Sequence, residues 1–478
     1  MEFSVAPIFM PGPRPDPIFG WRGALVAFGA DPIGYMARVR REYGELVALS
    51  RGAPVMLFAF GAEHNRRLLP DAALFETSLR TGMRVGDDSA MARIGNGLLA
   101  MNGDKHRQQR RMMLPSFHRQ QVSGYRDAMV DQIERALVGW EAGERRDMAA
   151  EMQRLTLGVA LKTLFSLDAT PEAHSLGELF RESLEISFSP LDMAIQVEIP
   201  GTAYYRLARL AERIEAHVRA LIEQRRAIGD GHSDVLSTLI AARDEDGQAL
   251  SDDELIGQTY TLFAAGHETS SNALAWALFL LDQHPTVLAD LHDELAGLLR
   301  GDAPALEQLG RLPLLDRVVK ETLRLMPPAS VLVRRSTAPF GLGCYELPAD
   351  TTIFLSPFIT HRSPELYDEP RAFRPERWER IDPSPYAYLP FGAGPRMCIG
   401  TTFALMEIKL ALAIIVQRYR LALAPGQRVD AEMRLTLRPR GGLPMAIHAQ
   451  DRQFRRASIA GGIGQVLDLP GLTAVAAD

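Results

Sequence analysis

Residues 391–400 read FGAGPRMCIG: a glycine-punctuated loop that carries Cys398 close to its end. The segment that follows, TTFALMEIKLALAIIVQR, has apolar residues at helical spacing, so a helix is expected from about Ile399. The first amides of a helix lack intrahelical acceptors and sit at the positive end of the macrodipole, which favours a thiolate. Gly392 and Gly394 let the backbone turn tightly and approach a flat ligand. Arg396 adds a permanent cation suited to a carboxylate. A thiolate so placed is suited to ligate iron. On its own, a single cysteine is more often a small buried hydrophobe.

The spacing weighs against that blander reading. Phe391, Gly394, Arg396, Cys398 and Gly400 form F-x-x-G-x-R-x-C-x-G. Five fixed positions match by chance in roughly one chain of this length in several thousand. The pattern resembles the haem-ligand signature of the cytochrome P-450 superfamily, in its soluble bacterial type. The resemblance implies haem b (iron protoporphyrin IX) with Cys398 as the iron ligand, and Phe391, Arg396 and Gly400 around the cofactor. It also implies a mainly α fold with small β-sheets (α+β), a triangular, helix-rich haem domain.

Composition sets wide bounds. The 478 residues are 46% hydrophobic, enough for a large core, and a net charge of −6 gives no support for nucleic-acid binding. The two cysteines, Cys344 and Cys398, lie far apart in sequence and suggest no disulfide framework, which fits a reducing, intracellular setting. No C-x-x-C-H points to covalently attached haem. The proline-broken start, MEFSVAPIFMPGPRPDPIFGW, lacks the basic region and uninterrupted apolar run of a signal peptide or anchor. The longest apolar run, 259–281, has Gly266, His267 and Glu268 at its middle, so a buried helix is a better reading than a membrane span. The expectation is a cytoplasmic monomer with no membrane anchor.

Along the chain, residues 1–30 read as a proline-rich segment, 31–449 as a single haem domain, and 450–478 as an extension that is either mobile or packed on the body. An amphipathic helix is expected over 31–43 and a hairpin over 46–60, turning at Arg51-Gly52-Ala53-Pro54. Helical patterns follow near 62–75, 103–115, 119–141, 147–166, 171–188, 203–228, 251–283, 285–300 and 312–325. Strand-like pieces return at 331–355 and between about 420 and 448. There are no alternating βα units.

The 251–283 segment opens with Ser251 and Glu254 at capping-box spacing. Its middle, Ala264-Ala265-Gly266-His267-Glu268-Thr269, sets small residues beside a carboxylate and a hydroxyl. Taken alone, such a polar pair is more often a solvated patch or a local kink. Ala265 to Thr269 also match the family's A/G-G-x-D/E-T, carried on the long helix over the distal haem face. There the resemblance makes Glu268 and Thr269 the catalytic pair that delivers protons to dioxygen, the cosubstrate. Ala265 and Gly266 would shape the oxygen and substrate space. The chemistry needs such groups, because releasing one oxygen atom as water takes two protons in an otherwise apolar cavity. The thiolate assists by donating electron density through iron.

Glu321 and Arg324 stand at i and i+3 on a helix that Pro327 and Pro328 end. An exposed pair of this kind would contribute little. The family instead buries E-x-x-R with an arginine of a P-E-R-F-like segment, here Pro375-Glu376-Arg377-Trp378, which implies a structural triad of Glu321, Arg324 and Arg377. Haem propionates need cations. His106 and Arg110, one helical turn apart, match the family's aromatic-x-x-x-Arg element. Arg334 is favoured over Arg335, since alternation along a strand lets only one face inward, and Arg396 completes the set.

The segments 76–101, 185–200, 326–333 and 435–443, counterparts of the family's pocket lining, are apolar overall. They favour a lipophilic substrate: a fatty acid, terpenoid, steroid or polyketide. No G-x-G-x-x-G lies between a strand and a helix, so electrons are expected from a separate ferredoxin or flavodoxin-type donor with its reductase. Arg107, Arg110, Arg111 and Lys409 are candidates for a positive docking face. The implied activity is a monooxygenase that hydroxylates or epoxidises its substrate. Two rivals are a peroxide-driven or isomerising haem-thiolate enzyme, which usually lacks the acid–alcohol pair, and a non-catalytic haem-binding sensor, which would carry an output segment.

Overall fold

The computed structural model describes residues 10–51, 55–77, 86, 88–168, 170–187, 196–228 and 234–470. Tertiary contacts divide the chain into two compact units. The smaller comprises residues up to Thr81, Ala329–Pro370 and Pro383–Cys398; the larger comprises Gly82–Pro328, Arg371–Asp382 and Ile399 onward.

The smaller unit is built on a five-stranded sheet ordered Leu46–Ala48, Met56–Ala59, Thr352–Leu355, Leu332–Ser336 and Phe75–Glu76. The expected hairpin is present, with Val47 opposite Phe58; residues 52–54 of its turn lie outside the described residues. Alternation along the strands gives the sheet two apolar faces. Leu57, Ala59, Ile353 and Leu355 join Leu68, Phe75, Phe340 and Leu389 in one core. Phe58 and Phe354 turn the other way and meet Phe28, with ring centroids 5.2–5.3 Å apart. Phe28 lies on a helix, Trp21–Ala30, within the segment read as proline-rich.

That core also fixes the chain leading to Cys398. The buried His361 Nε2 accepts the Leu389 amide (2.9 Å), the Tyr367 hydroxyl donates to the Ala387 carbonyl (3.1 Å), and Asn65 Nδ2 donates to the Tyr386 carbonyl (2.9 Å). Each bond ties backbone to a buried side chain, so the approach to the loop cannot drift without exposing unsatisfied polar groups.

The larger unit is organised around a broken helix. Asp252–Gly266 starts with the expected capping box: Ser251 Oγ accepts the Glu254 amide, and the Glu254 carboxylate accepts the Ser251 amide. The single helix expected over 251–283 is interrupted at His267 (φ −101°, ψ −44°) and resumes as Glu268–Gln283. Hydroxyls account for the bend. Thr269 Oγ1 donates to the Ala265 carbonyl (2.8 Å) and Thr156 Oγ1 to the His267 carbonyl (3.0 Å). From residue 270 to 283 every side chain is buried, as befits a helix wrapped on all sides.

Elsewhere the helices expected over 103–115, 147–166, 171–188, 203–228, 285–300 and 312–325 appear as Gly103–Met113, Met148–Phe165, Pro171–Ser187, Ala203–Ile228, Pro285–Leu299 and Pro313–Leu325. Other expectations need correction. The helix read over 62–75 stops at Leu68, with Pro70 two residues on. The 119–141 segment divides at Tyr125 into Arg119–Gly124 and Arg126–Leu137. The helix after Cys398 begins at Thr401, not Ile399. The tail is packed through residue 470: Ile459–Ala460 pairs in parallel with Gln427–Arg428, and Arg371 meets Asp468 at 3.1 Å. Among the described residues no helix is long and apolar enough to cross a membrane.

The implied ion triad forms, within the larger unit. Arg324 reaches both oxygens of Glu321 at 2.9 Å, and Arg377 Nε donates to Oε1 at 2.9 Å. The Arg374 amide and the Trp378 indole N–H, each at 3.0 Å, bring the donors on this one carboxylate to five. Trp378 stands where the family often has phenylalanine, and its N–H is what that exchange adds.

Candidate active site

In the smaller unit the loop folds back on itself. The Cys398 amide donates to the Phe391 carbonyl (2.8 Å) and the Met397 amide to that of Gly394 (3.0 Å). Gly394 has φ +72°, and a Cβ there would lie 2.5 Å from the Leu69 carbonyl oxygen, so only glycine fits. Gly392 likewise has φ +70°. Cys398 is exposed, neither cysteine is in a disulfide, and Phe391 and Arg396 are half-buried. Gly400 caps Thr401–Arg418 with an ordinary φ of −88°, so backbone conformation does not demand glycine there.

Arg334 and Arg335 separate as strand alternation requires. Arg335 is exposed and pairs with Asp350 at 3.5 Å. Arg334 is 6% exposed, and the one hydrogen bond of its guanidinium among the described residues goes to the neighbouring Val333 carbonyl (2.9 Å). Burial pulls its pKa down to about 10, with no carboxylate in ion-pair reach among the described residues. A buried cation without an anion is costly. The chemistry of this position fits an anionic group such as a haem propionate.

In the larger unit, His106 is buried and Arg110 half-buried, one turn apart on Gly103–Met113. Sequence reading missed what fixes this helix. Gln109 Nε2 donates to Glu254 (2.7 Å), Gln258 donates to Gln109, and Gln258 also accepts the Leu98 amide (3.0 Å). Two glutamines far apart in sequence gave no local signal of this contact.

The helix break carries the remaining candidates. Between residues 262 and 283 only 264–266, 268 and 269 escape burial, so the small residues and the acid–alcohol pair form a window in an otherwise buried helix. Gly266 leaves slack, since a Cβ there would meet nothing closer than Leu164 at 3.6 Å. Glu268 Oε1 accepts the Thr436 hydroxyl at 2.6 Å. Both Glu268 and His267 border a cavity of about 320 Å³ lined also by Arg154, Arg181, Arg434 and Arg438. His267 Nδ1 donates to the Phe263 carbonyl (3.0 Å), and burial lowers the pKa of its ring.

The surface cations expected to form a docking face are locally answered by acids. Arg107 bonds Asp104, Arg111 bonds Glu245, and Lys409 lies 2.5 Å from Asp316. A positive face built on those three is not what the structure presents.

The Cytochrome P450 family model matches residues 10–443. Cyclooctatin synthase of Streptomyces melanosporofaciens is 34% identical over 87% of this chain and 91% of its own length. Cyclooctat-9-en-7-ol 5-monooxygenase of the same organism is 34% identical over 84% and 88%, and pentalenene oxygenase of Streptomyces avermitilis 32% over 84% and 89%. Among solved structures, the retinoic acid-bound cyanobacterial CYP120A1 superposes with a TM-score of 0.81 at 25% identity, covering 93% of this chain and 99% of that one. The chain belongs to the cytochrome P450 family and is a haem-thiolate monooxygenase. The family uses haem iron and dioxygen.

Among the buried carboxyls outside the candidate set, Glu407 is the one pushed up furthest by burial. Glu407, on Thr401–Arg418, is 1% exposed, and burial pushes it up to about 8 while the Ser270 hydroxyl pulls the other way. An unfolded glutamate ionises near 4.5, so between that value and about 8 the folded protein holds the extra proton and stability falls with rising pH. Glu407→Gln cannot ionise. Its unfolding free energy, from urea midpoints, should gain on the parent from about pH 5 to about pH 8, whereas parallel profiles would contradict a buried neutral acid.

Proposed function

We propose that this protein hydroxylates or epoxidises a terpenoid, with haem b ligated by Cys398. The overall change is RH + O2 + 2e− + 2H+ → ROH + H2O for hydroxylation. Bound haem supplies the redox chemistry that activates dioxygen. Arg334, Arg396, Arg110 and His106 are the propionate partners in this reading, and the uncompensated burial of Arg334 supports it. Phe391 and Gly400 flank the thiolate. Glu268 and Thr269 hold and pass protons at the helix break, while Ala265 and Gly266 leave room beside them.

One observation carries the substrate class. Three relatives at 32–34% identity, each matching more than four-fifths of this chain, include pentalenene oxygenase and cyclooctat-9-en-7-ol 5-monooxygenase, which modify terpenoids. The apolar character of 326–333 and 435–443 agrees with a hydrocarbon substrate. Family members draw on redox partners, which supports a separate ferredoxin or flavodoxin-type donor with its reductase. The acid–alcohol pair favours reductase-driven over peroxide-driven turnover. A cytoplasmic monomer remains the simplest setting.

The test is a binding screen of sesqui- and diterpene hydrocarbons and alcohols against the haem-loaded protein, read by the iron spin-state change. Terpenoids should dominate the hits; preference for fatty acids or steroids would overturn the substrate class. Cys398→Ser should abolish the carbon monoxide difference band of thiolate-bound ferrous haem, and its persistence would remove Cys398 as ligand. Thr269→Ala should retain haem and substrate yet divert most reducing equivalents to hydrogen peroxide, a loss of coupling of at least threefold. Full coupling in that variant would refute proton handling by Thr269.

A further inference from the structure

Glu268, Asn272 and Trp276 lie four residues apart on one face of the helix Glu268–Gln283. All three side chains hold the same turn, between strands Ala431–Met433 and Leu437–Pro439. Trp276 Nε1 donates to the Leu437 carbonyl (3.0 Å), Asn272 Nδ2 donates to Thr436 Oγ1 (2.9 Å), and Thr436 Oγ1 donates to Glu268 Oε1 (2.6 Å). Thr436 and Asn272 are 3% and 2% exposed.

We infer that Thr436 is a positioning residue, holding the carboxylate of Glu268 in the orientation from which it handles protons. This rests on the role proposed for Glu268. The direction of the chain follows from its ends. A carboxylate oxygen accepts, so the threonine proton must point at Glu268, and the threonine oxygen must then take the amide N–H of Asn272. A hydroxyl whose lone pair is engaged by a buried amide cannot swing its proton elsewhere without leaving that amide unsatisfied. Oε1 is thereby committed as an acceptor. Oε2 has no hydrogen-bond partner among the described residues, and Glu268 borders the cavity lined also by Arg181 and Arg434. Protonation is thus directed to Oε2 and away from the tethered oxygen. A glutamate without the tether would be free to rotate, and a proton donor displaced by about 1 Å loses much of its effect.

The turn stays docked when the hydroxyl is removed, because the Trp276 bond engages backbone at Leu437. Thr436→Val is therefore a conservative deletion of the tether, Thr436→Ser its restoration, and Asn272→Leu a second route that frees the hydroxyl to turn away. In the haem-loaded protein with 13C-labelled glutamate, the infrared difference between parent and Glu268→Gln isolates the Glu268 carboxyl band. That band should shift in Thr436→Val and Asn272→Leu and return in Thr436→Ser. With pentalenene as probe substrate and a surrogate ferredoxin and reductase, peroxide released per NADPH should rise at least threefold in Thr436→Val and return in Thr436→Ser; should pentalenene not bind, the infrared comparison decides alone. An unmoved band, or parent-like coupling in Thr436→Val while Glu268→Gln uncouples, would overturn the tether and leave the role of Glu268 intact. Parent-like coupling in Glu268→Gln would instead remove the reading on which the tether rests.

Discussion

A charge drawn out of water has to be met by an opposite charge or by hydrogen bonds, and this chain treats its buried ions in two contrasting ways. Glu321 is wholly buried and receives five donors, two of them from Arg324, so its charge is answered entirely within the larger unit. Removing one member of such a cluster leaves the others uncompensated, at a cost of about 3–5 kcal/mol. Arg334 is also buried, but among the described residues its guanidinium meets only a neighbouring carbonyl. Both residues carry the same desolvation penalty in kind. The first site is complete in itself, and the second makes chemical sense when an anion from outside the polypeptide joins it. That difference sets a self-sufficient ion cluster apart from a buried cation that calls for an anion, without reference to any motif.

The break at His267 follows similar logic for backbone groups. Residues 264–266, 268 and 269 escape the burial that is uniform over 270–283. Small residues remove the side chains that would close the window, and hydroxyls from Thr269 and Thr156 satisfy the Ala265 and His267 carbonyls as the helix bends. Both carbonyls thus keep a partner at the bend. It also starts a new helix at Glu268, where a carboxylate in the first turn is favoured by the dipole. Local backbone chemistry and the placing of the acid are one event.

Much of this was legible in the sequence because the signals are local. The cysteine loop, the capping box at Ser251 and the helix Ala203–Ile228 depend on residues within a few positions of one another. The E-x-x-R pair reads as a helical neighbour, though its partner Arg377 needed the family resemblance. Contacts set by tertiary placement were not legible. The spacing of Asp104 and Arg107 at i and i+3 does carry a signal that Arg107 is neutralised, but nothing near Arg111 announces Glu245, 134 residues away. The same holds for Gln258 on Gln109, 149 residues apart, and for the tail, whose short strand finds its partner at Gln427–Arg428. Thr436 sits in a stretch read only for apolar character, and its hydroxyl gains meaning only from the helix it faces.

The clamp of the Ala431–Pro439 hairpin on the Glu268–Gln283 helix bears on how substrate and proton chemistry are linked. The hairpin belongs to a segment whose apolar residues read as substrate-facing, and its one buried hydroxyl is bonded to the acid at the helix break. A rigid coupling of this sort means that displacement of the turn is felt at Glu268 through a single short hydrogen bond. A looser arrangement would leave the acid to solvent and to its own rotamers, each step lowering the fraction of time it spends correctly aimed. Three anchors at four-residue spacing resist that loss. The geometry therefore ties the Ala431–Pro439 hairpin to the carboxylate at the helix break through one buried hydroxyl.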